Sequence, residues 1–138
     1  MTQNGLSGLP ALIEDERTLE DVMTQPTDPL VRAMDSLEGD LMILGVGGKM
    51  GPSLARLAHR ASQAANKKRC IIGVSRFSQQ GLRQRLHQWG IETIACDLLD
   101  PEAVANLPEI ANIIFMAGRK FGSTGAESLT WAMNVYLP

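Results

Sequence analysis

Chemical capacity in this chain is concentrated in Gly45-Val46-Gly47-Gly48-Lys49-Met50-Gly51, which holds four glycines in seven positions. A phosphate group approaches a backbone closely only where no Cβ intrudes, and a tight strand-to-helix turn needs positions that tolerate positive φ. Gly45, Gly47 and Gly48 meet both needs. Gly51, at the start of the next helical pattern, lets helix and strand pack closely, while exposed N–H groups and the helix dipole attract phosphate. Lys49 reads either as a point charge added for that anion or as a solvated lysine. Gly45-x-Gly47 begins like G-x-G-x-x-G but fails at its sixth position, Met50, whereas Gly45-x-x-Gly48-x-x-Gly51 fits throughout. A Walker A loop is excluded, because Ile43 stands where its first glycine belongs and Met50 where Ser or Thr must follow the lysine. The expected ligand is the pyrophosphate of a dinucleotide, held by Gly45, Gly47, Gly48, Lys49, Met50 and Gly51.

Three further short segments end apolar runs and point to the same crevice. Ser75-Arg76 has no carboxylate nearby to accept from ribose hydroxyls. A planar guanidinium with a small hydroxyl suits a 2′-phosphate, so NADP is expected ahead of NAD, unless Arg76 is simply a loop cation. Asp97-Leu98 offers a carboxylate for the adenine amino group and an apolar cover for the ring, or else Asp97 only begins a loop. Ala117-Gly118 leaves room for the ribose beside the nicotinamide.

These positions need a scaffold, and the chain supplies one from Asp40 onward. Leu41-Met42-Ile43-Leu44 is a continuous apolar run ending at glycine, as expected of a strand buried on both faces. Met50 to Ala65 reads as a helix, with Leu54, Leu57, Ala58 and Ala61 at helical spacing and Pro52 tolerated in the first turn. Ile71 to Val74 is a second strand, and Gln79 to Trp89 a helix presenting Leu82, Leu86 and Trp89 until Gly90 stops it. Ile91 to Cys96 is the third strand. Asp100-Pro101 caps a helix through Leu107, Asn112 to Met116 is the fourth strand, and a last helix runs from about Gly125 to Tyr136, with Ser123-Thr124 as its cap. Alternating strands and helices predict an α/β fold: a Rossmann-type parallel sheet with helices on both faces, its first half only, in strand order 3-2-1-4.

Residues 1–39 form a helical extension ahead of this 40–138 domain. Glu14 to Met23 reads as an acidic helix ending before Pro26, and Asp28-Pro29 as an N-cap and first position opening a helix from Leu30 to Leu37, terminated by Gly39. A hydrophobic share of 44% with mean hydropathy near zero describes an ordinary globular protein, and no apolar run approaches the ~20 residues of a spanning helix. With no basic-then-apolar leader, the expected location is cytoplasmic. A net charge of −2 gives no electrostatic case for nucleic acid. Cys70 and Cys96 lack metal-ligand spacing, and neither His59 nor His87 has a second ligand at the right distance, so no metal site is expected and both histidines read as solvated.

Together, Gly45, Gly48 and Gly51, the Asp97-Leu98 pair, Ala117-Gly118 and Asn134 resemble the extended short-chain dehydrogenases/reductases, the NAD-dependent epimerase/dehydratase family, across Asp40 to Pro138. The resemblance implies glycines on the pyrophosphate, Asp97-Leu98 on adenine, and Ala117-Gly118 along the cofactor channel. Asn134 is similar to the helix asparagine that supports that family's active-site geometry, or is a polar residue on a half-buried helix. The family's Tyr-x-x-x-Lys pair has no counterpart: Tyr136 is the only tyrosine, and its lysine partner would fall at position 140. The chain is therefore expected to be the cofactor-binding part of an oxidoreductase or epimerase that ends before its catalytic half, with a small-molecule substrate bound by the full-length protein. The alternatives are a non-catalytic NADP sensor or scaffold and, disfavoured by the missing acid at the second strand tip, a methyltransferase. An uncovered half-sheet also predicts self-association.

Overall fold

The computed structural model describes residues 9–119 and 124–138. Four strands, β1 (Leu41–Leu44), β2 (Ile71–Ser75), β3 (Glu92–Ala95) and β4 (Asn112–Phe115), form one sheet in the order β3-β2-β1-β4. All three pairings are parallel, with Leu41 opposite both Ile71 and Asn112 and Ile72 opposite Glu92. This is the expected Rossmann-like α/β arrangement.

Alternation along the strands divides the core in two. One face gathers Leu41, Ile43 and Ile71 with Ala55, Ala58 and Ala61 of α3 (Gly51–Ala64) and Leu82 and Leu86 of α4 (Leu82–Gln88). The other gathers Met42, Ile72, Val74 and Cys96 with Ala103 of α5 (Pro101–Ala105), Leu107 and Ile110. The buried stripe of α3 differs from the periodicity reading. Ala55, Ala58, Ala61 and Ser62 are buried while Leu54 and Leu57 are half-buried, because small side chains let this helix lie close over the sheet.

Several boundaries move for local reasons. Helix α4 starts at Leu82 and not Gln79, since Gly81 at its N-cap has φ +79°, outside helical geometry. The N-cap of α2 (Asp28–Ser36) is the extended Thr27, leaving Asp28 inside the first turn. Asp15 caps α1 (Glu16–Met23) by accepting from the Thr18 N–H at 2.6 Å, and Asp100 caps α5 by accepting from the N–H groups of Glu102 and Ala103. The last helix is short, α6 (Glu127–Trp131), continued by a π-helical turn over Ala132–Tyr136. Its N-cap is Ala126; Ser123 lies outside the described residues and Thr124 does not cap.

The N-terminal helices pack onto the sheet layer. Met34 of α2 is buried in the first core cluster, and the buried Arg69 guanidinium donates to the carbonyls of Met34 (3.0 Å), Gly39 (2.6 Å) and Leu37, and to Ser62 Oγ (3.3 Å). One side chain thus satisfies carbonyls at the end of α2 that the helix itself cannot. Helix α1 lies against the outer side of α3: Arg56 pairs with Asp21 at 2.6 Å, Arg60 donates to the Asp21 carbonyl and Thr24 Oγ1, and Ser53 Oγ donates to Glu20. Strand β4 is an edge strand of the sheet, and its Ile113 and Phe115 are exposed on the face they share with Met42 and Leu44.

Candidate functional site

The C-terminal ends of the four strands surround one open cavity of about 220 Å³. Its lining comes from the turn after β1 (Gly45, Gly47, Gly48), the end of β2 (Ser75, Arg76, Ser78), the end of β3 (Cys96, Asp97, Leu98), the end of β4 (Met116, Ala117, Gly118), and Met133. The position follows from topology. Chain connections leave β1 towards β2 on one side and return from β3 to β4 on the other, so the loops diverge between β1 and β4 and open a crevice there.

The four glycines of the turn do different work. Gly45 has φ +89°, and a Cβ there would lie 2.5 Å from the Ala117 nitrogen. Gly47 approaches the Ser75 side chain, and a Cβ at Gly51 would lie 2.6 Å from the Val46 carbonyl carbon. At Gly47 the nearest atom is a serine hydroxyl that can turn away, whereas Gly45 and Gly51, which face backbone atoms, are required by the packing of the protein itself. Gly48 is not: its φ is not positive, and a Cβ would meet only the Gly45 oxygen, at an ordinary 3.5 Å. Gly48 itself lies on the cavity wall. Val46 fixes the turn from below, fully buried, with its N–H and that of Gly45 both donating to the Val74 carbonyl at 3.1 and 2.9 Å. A Cβ at Gly73 in β2 would lie 2.9 Å from a Val46 methyl, so the strand is kept bare where the turn plugs into it.

Polar groups around the cavity are available to a ligand. Among the described residues the N–H of Gly47 on the cavity wall, and those of Lys49 and Met50 just outside it, have no protein acceptor, and α3 has no side-chain cap. Such an uncapped start of a 14-residue helix beside a bare backbone is suited to an anion. Arg76 is exposed and makes no ion pair or hydrogen bond among the described residues. Ser75 Oγ accepts from the Phe77 N–H at 3.3 Å, leaving its own proton to donate. Asp97 Oδ1 accepts from the Leu99 N–H at 3.0 Å, so the carboxylate shapes its loop as well as lining the cavity. Burial, with Asp100 and Asp97 nearby, pushes the Cys96 thiol above its ordinary pKa and keeps it protonated.

Nine of the sequence-selected positions therefore meet at one cavity: Gly45, Gly47, Gly48, Ser75, Arg76, Asp97, Leu98, Ala117 and Gly118. Lys49 and Met50 are exposed outside it, and Gly51 is buried against Val46. Asn134 does not line it either. Its Oδ1 accepts from the Arg119 N–H (2.7 Å) and its Nδ2 donates to the Arg119 carbonyl (2.8 Å), clamping the backbone just beyond Gly118. Ser78, Cys96, Met116 and Met133 were not selected; only their adjacency to chosen strand ends, and Met133's to Asn134, could have flagged them. His59 corrects a reading: its ring packs against Gly90, its Nδ1 is buried without a partner, and burial lowers its pKa. His87 Nε2 sits 2.6 Å from Thr93 Oγ1. Among the described residues no three metal-ligating side chains gather, and no helix is long and apolar enough to cross a membrane.

No family model matches the chain, and no curated protein matches it.

Proposed function

We propose that this protein binds a dinucleotide, NADP ahead of NAD, across the C-terminal ends of β1 to β4, as the cofactor-binding part of a short-chain-type oxidoreductase or an epimerase/dehydratase-like enzyme. The observation that carries the reading is Gly48. Neither its own conformation nor any neighbour requires a glycine, yet it borders a cavity beside unbonded N–H groups at an uncapped helix start. A pyrophosphate is the ligand that needs that bareness.

The remaining assignments follow along the crevice. Ser75 and Arg76 take the 2′-phosphate of the adenosine ribose, Asp97 and Leu98 border the adenine, and Ala117 and Gly118 leave room towards the nicotinamide. A volume of about 220 Å³ suits one section of an extended ligand lying in an open groove, since pockets enclosing a whole compact ligand run from ~300 Å³ upward. Asn134 supports the site by holding the Arg119 backbone. The proposal is one of binding: Tyr136 is exposed, stacks on Trp131 at 6.3 Å and does not border the cavity, so no described residue supplies the phenol that the resembling family uses for proton exchange.

Calorimetric titration with NADPH, NADH and S-adenosylmethionine tests the reading. Saturable binding of NADPH, weakened by Arg76→Ala by about tenfold while NADH changes little, is expected from the loss of one charge-assisted contact. Absence of binding by either dinucleotide at millimolar concentration refutes it, and preferential binding of S-adenosylmethionine replaces it with the methyltransferase alternative.

A further inference from the structure

Phe77 has φ +52°. This left-handed geometry suits glycine and carries a steric penalty for an aromatic residue, so a phenylalanine held there must contribute something that glycine lacks. Its neighbours Ser75, Arg76 and Ser78 all border the cavity, whereas Phe77 does not. Its ring instead packs against the core cluster formed by the sheet, α3 and α4, with the Arg83 guanidinium 5.8 Å from the ring centroid. Its N–H donates to Ser75 Oγ.

We propose that Phe77 is a positioning residue for anion recognition, and hence for the choice of NADP over NAD; this rests on the dinucleotide reading. The left-handed step turns the chain so that Arg76 and Ser78, on either side, border the same opening. The ring anchors that turn to the core, and the N–H orients the Ser75 hydroxyl with its proton directed away. Three donors, Ser75 Oγ, the Arg76 guanidinium and Ser78 Oγ, are thereby held around one phosphate before it arrives. Without the anchor, the loop has to be ordered when the ligand binds. That cost falls only on the cofactor carrying a 2′-phosphate.

The test is the ratio of NADPH to NADH affinity in Phe77→Gly, which still permits the left-handed backbone but removes the ring that holds it. NADPH binding is expected to weaken about fivefold, the scale of ordering one side chain on binding, with NADH affinity unchanged and the ratio restored in Phe77→Tyr. Phe77→Asn, a second side chain tolerant of this conformation, repeats the measurement if the glycine variant unfolds. Equal losses for both cofactors, or an unchanged ratio, overturn the inference and leave the dinucleotide reading standing. A wild-type protein that binds neither cofactor overturns both.

Discussion

Replacing Gly48 by alanine separates a glycine kept for the fold from one kept for a ligand. The added methyl meets only the Gly45 oxygen at 3.5 Å, and the backbone there is not left-handed. Stability should change by no more than about 0.5 kcal/mol, or rise by about 0.4–1 kcal/mol because alanine restricts the unfolded chain. On the ligand side the methyl stands where a pyrophosphate must approach. Losing one hydrogen bond to a charged group is worth about 1.5–3 kcal/mol, so NADPH affinity should fall about 10- to 100-fold. Gly45→Ala is the control in the opposite sense: φ +89° and a Cβ 2.5 Å from the Ala117 nitrogen should cost about 2–5 kcal/mol of stability. Thermal unfolding and NADPH titration on the same samples read both quantities. If Gly48→Ala binds NADPH as tightly as wild type, no phosphate approaches that position and the central argument for the site fails.

Two further outcomes are expected. Arg69→Met leaves the carbonyls of Met34, Leu37 and Gly39 without their donor, and a urea unfolding curve should lose about 3 kcal/mol; a loss under about 0.5 kcal/mol would mean that solvent replaces the guanidinium. Burial holds His59 below the ordinary histidine pKa of 6.5, so the unfolded chain takes up its proton first as the pH falls. The stability contributed by a neutral His59 is present above pH 6.5 and is lost as the pH drops through the lower folded value. A melting temperature that declines below pH 6.5 in wild type and less so in His59→Gln is expected, and parallel profiles would remove His59 as the cause.

Strand order and the crevice were legible because apolar runs of four or five residues separated by amphipathic stretches leave few other arrangements. Contacts between distant segments were not. Position alone set Gly51 apart as the packing glycine, but Gly45, Gly47 and Gly48 look alike in sequence, and only Ala117 and Ser75, brought in from other strand ends, distinguish the first two from Gly48. Arg69 carries no signal of its role in the sequence, because the three carbonyls that claim its guanidinium lie some thirty residues upstream. The stripe of α3 was displaced towards Ala55 because periodicity weights bulk, whereas close packing on a sheet selects smallness. Phe77 gave no sign at all, since its left-handed backbone contradicts its residue type.

Val46 and Gly73 fit together as a peg and its socket, one in the turn and the other inside a strand 27 positions later. Such a pair does not tolerate substitutions independently: enlarging residue 73 is harmful while Val46 keeps its methyls, and becomes tolerable once residue 46 has shrunk. Among descendants of this chain the two positions should drift together, and their effects on stability should be non-additive by about 0.5–3 kcal/mol. The shape of the glycine turn is thus inherited partly through a strand residue that never touches the cavity, and any redesign of the turn has to carry that residue with it.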